Sequence, residues 1–368
     1  MFRRFAQATL IAAAVAVFAF AFHCDVQWFE RHVFLPQQFF ISANPRIALV
    51  LRTAAAAMGA LLLLLVPFLP RGAAARRLIW ALLLAVPAAE VLLQWRTRHL
   101  LRSDLIATMD ALTVDNPRYG VTLKPSIDRA QQMSGRNIQF FTDVEGRRIS
   151  GVAPDPQLPS LVFTGESTVA GHGLQWDETF PALLGSRLKL QVINLGSMNY
   201  RVDQSWLRLA DGLPKLARPA AVVGLFMPGL LGRSFDGRGH PLAWPAPAGG
   251  IVLVSPEAPG LLQRSGFYRL WRHLYWSDAE IQDGMASMAA LLRDLDALAR
   301  ARGVHCIFVA TGHTPRWMLQ GLFEAGGLDY VVVEVPPQEL LADGHPSPQG
   351  SIRIANALEP RLRSLTKQ

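Results

Sequence analysis

Cysteine is almost missing from the 368 residues. Cys24 and Cys306 lie far apart with no metal-ligand spacing, which excludes a disulfide scaffold and a cysteine-based zinc site. Lysine is scarce too, at Lys124, Lys189, Lys215 and Lys367, so nearly every cation is arginine, which reflects base composition as much as selection. Charged residues make up 17% of the chain against 51% hydrophobic, a balance that excludes a disordered or fibrous protein. No Walker loop, dinucleotide fingerprint or histidine-rich metal spacing occurs, and no metal or organic cofactor is expected. The net charge of +8 would suggest a nucleic-acid partner if it were spread over a folded domain. It is not: residues 1–104 hold 11 Lys and Arg against 4 Asp and Glu, while residues 105–368 hold 25 against 24. The large downstream portion is nearly neutral, and no nucleic-acid partner is expected.

Long apolar runs are abundant near the start. Phe5 to Phe22, Ile47 to Pro70 and Leu78 to about Trp95 each approach the ~20 residues needed to cross a bilayer as a helix. Residues 1–104 therefore read as a membrane region with about three spanning helices. Arg3 and Arg4 precede the first run, and Arg71, Arg76 and Arg77 lie between the second and third. Positive charge on the cytoplasmic side places the N-terminus inside and everything after Trp95 outside. Ala19-Phe20-Ala21 offers the alternative of a cleavable signal peptide, but uncleaved helices are the expectation, and cleavage would not change the side of the large domain. Arg52 sits near the outer end of the second run, where it can snorkel; a functional intramembrane charge is the competing reading.

From residue 159 onward, short apolar runs alternate with amphipathic stretches, the signature of βαβ units and a parallel sheet. Strands are expected at 160–164, 190–194, 221–226, 304–309 and 330–333. Helices are expected at 178–188, 203–216, 279–301, 315–324 and 348–365. Such a sheet is covered on both faces and binds ligands beyond the carboxyl ends of its strands. Residues 105–158 form a linker and prelude, and residues 159–368 form the domain itself. An insertion at 228–278, rich in Gly, Pro and aromatics, breaks the rhythm, and its segment Phe267 to Trp276 is expected to pack as a helix over the site.

Two pieces carry chemistry. Directly after the first of these strands comes Thr164-Gly-Glu-Ser167-Thr-Val169. A Gly-x-Ser at a strand end gives a tight turn that lifts the hydroxyl clear of the sheet, with a backbone amide free for an oxyanion; a plain turn or helix cap reads the same way. The second piece is Asp343-Gly-His345-Pro346, after the last strand. A serine needs a base, and a base needs an orienting carboxylate. Both pieces fall at the carboxyl edge of one sheet, and together Ser167, Asp343 and His345 make a complete nucleophile set. His172 and His313 also follow strands; lining the substrate site is one reading of each, and a loop role without catalytic duty is the expected one. Glu166, Asp177 and Glu178 lack the placement across a groove that glycosidic acid-base chemistry needs.

These blocks resemble the SGNH (GDSL-type) hydrolase superfamily. Its Gly-Asp-Ser block is similar to Gly165-Glu166-Ser167, its Asp-x-His-Pro block to Asp343–Pro346, and its second-block glycine to Gly196 in Asn194-Leu-Gly-Ser197. Glu178 to Leu184 is similar to the helix after the serine loop in bacterial members, and residues 119–125 and 142–147 look like their prelude. The resemblance implies a three-layer α/β/α flavodoxin-like sandwich with a parallel sheet, preceded by transmembrane helices. It implies Ser167 as nucleophile, His345 as general base, Asp343 as its partner, and the amides of Ser167 and Gly196 as oxyanion donors. The usual third donor is an asparagine after the third strand. Here that stretch reads Phe226-Met-Pro-Gly-Leu-Leu-Gly232, and Asn199 is the substitute considered, with a turn role as its alternative. The expected function is a tethered esterase or acyltransferase of the bacterial inner membrane, its domain on the periplasmic side, acting on acyl esters of an envelope glycan or a lipid. A non-catalytic binding or assembly module for envelope glycans is the alternative, and a membrane function centred on Arg52 is a third.

Overall fold

The computed structural model describes residues 2–34, 45–68, 111–233 and 275–366, with shorter stretches between 77 and 94 and between 242 and 271. The chain divides into two compact units: the N-terminal helices with Gly260–Ser277, and Arg102–Pro259 with Asp278–Gln368.

In the first unit, helices α1 (Phe2–His23) and α2 (Pro45–Leu65) pack on each other. Phe18 lies against Gly59, where a Cβ would come within 3.0 Å of its ring. Both helices are long and apolar enough to cross a bilayer, with mean hydropathy 2.1 over 20 residues. Side chains such as Phe5, Leu49, Val50 and Leu64 are exposed along them, an apolar surface that water solvates poorly. Arg52 donates from Nε to the Ala21 carbonyl at 2.8 Å, satisfying a carbonyl of the last turn of α1, which has no partner within its own helix. The third apolar run lies partly outside the described residues; residues 87–94 within it are helical. Glu90 in that run accepts from the amides of Gly266 at 2.5 Å and Phe267 at 3.0 Å and from Ser265 Oγ at 3.1 Å. The segment Phe267 to Trp276 belongs to the same compact unit as the N-terminal helices. Of its described residues, Phe267, Tyr268 and Trp271 are helical, and Tyr275 N–H donates to the Trp271 carbonyl at 2.8 Å.

The second unit is built on a sheet of eight strands. An antiparallel hairpin, β1 (Thr113–Asn116) and β2 (Gly120–Leu123), stands apart from it. β3 (Asp128–Met133), β4 (Arg136–Thr142) and β5 (Arg148–Ile149) follow, then β6 (Ser160–Thr164), β7 (Gln191–Asn194) and β8 (Pro219–Phe226). β9 (Leu242–Pro245) and β10 (Ile251–Val254) form a second separate hairpin. β11 (His305–Thr311) and β12 (Tyr330–Val333) complete the set, in the sheet order β12-β11-β8-β6-β7-β5-β4-β3. The five strands expected from sequence are parallel, and their order about β6 is the doubly wound, flavodoxin-like one. β6 is wholly buried, as are all but the first residues of β8 and β11, which explains their unbroken apolar runs.

The sheet is mixed rather than purely parallel. Residues 128–149, expected as a prelude, add three antiparallel strands through the pairing of Arg148 with Asn194. Along β4 buried positions alternate with partly exposed ones, and β3 is exposed or half-buried at all but its last residue.

Helix α3 (Ser167–Ala170) is a single turn after β6, and α4 (Phe180–Leu188) leads to β7. α5 (Val202–Gly212) and α6 (Asp278–Ala301) follow β7 and β8, α7 (Arg316–Leu319) follows β11, and α8 (Pro348–Leu365) closes the chain. α4 packs on α8, and α5 on α6. Right-handed crossovers put these two pairs on opposite faces, because the sheet is wound in both directions from β6. The expected helix 315–324 opens as α7 and continues as a π-helical turn at Gln320–Glu324.

Arg148 ties the extension to the parallel core. It is fully buried, and its guanidinium donates to the carbonyls of Ala170 at 2.7 Å, Gly171 and Leu174 while lying 4.3 Å over the Phe140 ring. Burial pulls its pKa down to about 9, opposed by the charge of Glu178, so the group remains a cation at neutral pH. Replacing it with methionine keeps the stem but leaves three carbonyls without their donor, each costing roughly 1–3 kcal/mol. Arg148→Met is expected to lower the stability of this unit by about 3 kcal/mol or more, read as a lowered melting midpoint of the full chain in detergent.

Candidate active site

The order of the parallel strands reverses between β6 and β8, and the crevice of such a sheet opens there, beyond the carboxyl ends. Ser167 stands at that point. Gly165 directly follows β6, and a Cβ there would lie 2.5 Å from Val169 Cγ2, so the chain can turn this tightly only on glycine. Glu166 caps α3, accepting from the Thr168 amide at 2.8 Å. Gly171 closes it at φ 76°, a conformation that favours glycine. Ser167 is 7% exposed.

The other half comes from the loop after β12. Leu340 and Pro346 form an antiparallel bridge, Leu341 N–H donates to the His345 carbonyl at 2.7 Å, and Gly344 N–H to that of Leu341 at 2.9 Å. Ser347 caps α8 through the Gly350 amide. The loop is thus closed on itself before the long helix begins.

These two segments meet. Ser167 Oγ lies 2.8 Å from His345 Nε2. Across the ring, His345 Nδ1 is 3.1 Å from Asp343 Oδ1. The separation suits a hydrogen bond, but the ring N–H is not aimed at the oxygen, and Nδ1 makes no well-formed bond. The backbone amide of His345 also donates to Oδ1, at 3.2 Å. Ser167, His345 and Asp343 are therefore brought together as a serine, a base and an orienting carboxylate.

Two further groups hold Asp343. His172 Nε2 lies 3.0 Å from Oδ2, and Ser134 donates its hydroxyl to the same oxygen. Burial raises the Asp343 pKa, but the donors His172, His345 and Ser134 together outweigh it and hold the carboxyl far below the usual carboxylate range. His172 is buried, and its ring centroid is 4.3 Å from that of His345, the planes 32° apart. The sequence alone favours a loop role for His172 over a place at the site, and the structure puts it against Asp343. Its signal was the flanking pair Gly171 and Gly173, at φ 76° and 73°, which lets the loop double back. Ser134 comes from the β3–β4 turn, where Ser134 and Gly135 both hold positive φ; nothing in its sequence neighbourhood pointed to the site.

His172, Asp343 and His345 each offer a ligand atom, all within 4.8 Å of one another. Their geometry does not suit a metal. Imidazole lone pairs lie in the ring plane, so two rings nearly face to face aim side by side rather than at one point. Hydrogen bonding to a shared carboxylate is what this stacking fits.

Ser167 Oγ has one proton and two neighbours, since it also donates to Glu166 Oε2. With that proton directed at Glu166, none is directed at His345. Deprotonation by His345 requires that bond to be exchanged.

The expected oxyanion donors fare differently. Ser167 N–H, at the first position of α3, has no acceptor among the described residues. Gly196 N–H is engaged by Asn194 Oδ1 at 2.9 Å, while Asn194 Nδ2 donates to the Val169 carbonyl at 2.7 Å. A Cβ on Gly196 would come within 2.8 Å of Ala170 N and Val169 Cβ, so close packing of the two loops requires this glycine. Asn199 is exposed at φ 60°, a turn conformation asparagine tolerates. His313 lies 3.4 Å from Thr311 on its own loop, and Glu178 is paired with Arg136 at 2.8 Å.

No protein-family model matches the chain, and no curated protein matches it. Among solved structures, one described as a lipolytic protein of the G-D-S-L family from Desulfitobacterium hafniense DCB-2 matches at 13% identity with a TM-score of 0.34. The match covers 55% of this chain and 98% of that one. The second unit is a doubly wound α/β fold with a serine, a histidine and an aspartate gathered at its switch point.

The lowered pKa of Asp343 has a pH consequence. A carboxylate whose folded pKa is depressed supplies stability above the unfolded value of about 3.9 and loses it as pH falls toward the folded one. The melting midpoint of the unaltered chain is expected to exceed that of Asp343→Asn by a constant margin from pH 5 to 8, and the margin to narrow below about pH 4. A margin that persists unchanged at pH 3 would show that the charge is not its source.

Proposed function

We propose that this chain is a membrane-anchored serine esterase or acyltransferase of SGNH (GDSL) type. The observation that carries the reading is the 2.8 Å contact of Ser167 Oγ with His345 Nε2, with Asp343 against the opposite ring nitrogen. In the first half-reaction His345 Nε2 takes the serine proton as Oγ attacks the acyl carbonyl. The new C–O bond yields an oxyanion that the Ser167 amide binds, and the imidazolium is stabilised by Asp343 and then protonates the departing alcohol. In the second, water or a sugar hydroxyl attacks the acyl-serine, with His345 again as base. Both acceptors use the same intermediate, so hydrolysis and transfer share one site.

The substrate class favoured is a small acyl ester, such as acetyl, on an envelope glycan. The tether supports this, because α1 and α2 would hold the domain beside such polymers. The arginines flanking the apolar runs support an extracytoplasmic domain on a bacterial inner membrane.

A second reading, a binding or assembly module that retains the fold without turnover, is favoured by one observation. Gly196 N–H is already held by Asn194 and the stretch 227–232 directly after β8 contains no asparagine, and loss of one oxyanion donor lowers rate by on the order of 100- to 1000-fold.

A fluorophosphonate probe applied to the full chain in detergent separates the two. Labelling is expected on Ser167, falling by at least about a thousandfold in Ser167→Ala and His345→Ala. Folded protein that never labels would overturn the enzymatic reading in favour of the module.

A further inference from the structure

Among the described residues of the second unit, the acyl-transfer set leaves one buried histidine without a role. His172 is 4% exposed, and a loop does not bury a titratable ring without a partner. Its Nε2 meets Asp343 Oδ2, the oxygen turned away from His345. The loop that carries it is fixed from two sides: Arg148 holds the carbonyls of Ala170, Gly171 and Leu174, and Arg136 donates to that of Gly173 at 2.8 Å. A Cβ on Gly171 would collide with Arg148 at 2.6 Å, and one on Gly173 with Leu341 at 2.5 Å. His172 is therefore delivered to Asp343 by two buried or half-buried arginines and two obligatory glycines.

The terminal torsion of an aspartate is broad. Asp343 sits on a bend, with its Oδ1 accepting the His345 amide, and that one bond leaves the second oxygen free to swing. Donors on Oδ2 remove the freedom. The charged and titratable groups facing the pair are Glu166 on the serine turn, Asp343 and His345 on the loop after β12, and His172 itself, with the Ser134 hydroxyl from the β3–β4 turn.

We propose that His172 is a positioning residue, gripping Oδ2 of Asp343 so that Oδ1 stays against His345 through the reaction. The inference rests on the acyl-transfer reading of the site. The Nδ1 to Oδ1 contact is not yet aligned; such contacts tighten when substrate binds, and a carboxylate held at its far oxygen can tighten only toward His345.

The test follows p-nitrophenyl acetate turnover by the full chain in detergent, with fluorophosphonate labelling alongside. His172→Phe keeps the ring volume and removes the donor; kcat is expected to fall about 10- to 100-fold, the range typical of residues that orient a site ligand from behind, with KM within about twofold. His172→Gln places an amide donor near the same oxygen and is expected to restore most of kcat. Ser134→Ala removes the other donor from a half-buried position, so it reports on the same oxygen even where His172→Phe folds poorly, and a fall in kcat at constant KM is again expected. Phe and Gln variants as fast as the unaltered chain would overturn the inference and leave the proposed function standing. A rise in KM without Gln rescue would also overturn it, in favour of simple packing. If the unaltered chain neither turns over ester nor labels, the proposed function falls and the inference with it.

Discussion

The Asp343 carboxylate is the point to which three separate parts of the second unit are tied. The β3–β4 turn reaches it through Ser134, the loop after β6 through His172, and the loop after β12 through the amide and ring of His345. A half-buried carboxylate is costly unless its charge is answered by donors, and here donors from distant segments answer it. The price of that charge is what makes the three loops cooperate: none can move away without leaving the anion under-solvated. The antiparallel extension is therefore part of the site rather than an approach to it.

Behind that carboxylate lies a second polar layer with the opposite charge. Arg148 is buried and serves as solvent for the carbonyls of residues 170, 171 and 174. Asn194 does similar work for Val169 and Gly196. Irregular backbone at the end of a sheet carries donors and acceptors that no ladder satisfies. The sheet supplies them from its own edge residues, Arg148 and Asn194, which are paired across β5 and β7. Glycines 165, 171 and 196 are the geometric counterpart, because each loop approaches its neighbour more closely than a Cβ permits.

At the nucleophile the same economy creates a competition. Glu166 must cap α3, and its second oxygen reaches the Ser167 hydroxyl. The resting serine is thus shared between a carboxylate and an imidazole, so proton transfer to His345 begins with the exchange of a hydrogen bond. An aspartate at 166 would be shorter by one methylene, so the extra reach belongs to this sequence.

Five parallel strands, the flanking helices, Ser167 and the Asp343–His345 pair were all legible in the chain, because periodicity and strand-end turns are local properties. So were the apolar runs, since length and composition alone decide whether a helix can cross a bilayer. Three things were not. The incorporation of 128–149 into the main sheet depends on one short strand, β5, whose two residues carry no periodic signal. The role of His172, and of Ser134 some 209 positions from Asp343, depends on which loops the sheet order brings together. The engagement of the Gly196 amide depends on the side chain of Asn194 turning back on its own loop. The sequence by itself determined the elements and the chemistry-bearing residue types; the tertiary structure decided which of them meet, because hydrogen bonds between segments far apart in the chain are set by strand order and loop packing, and no local pattern encodes them.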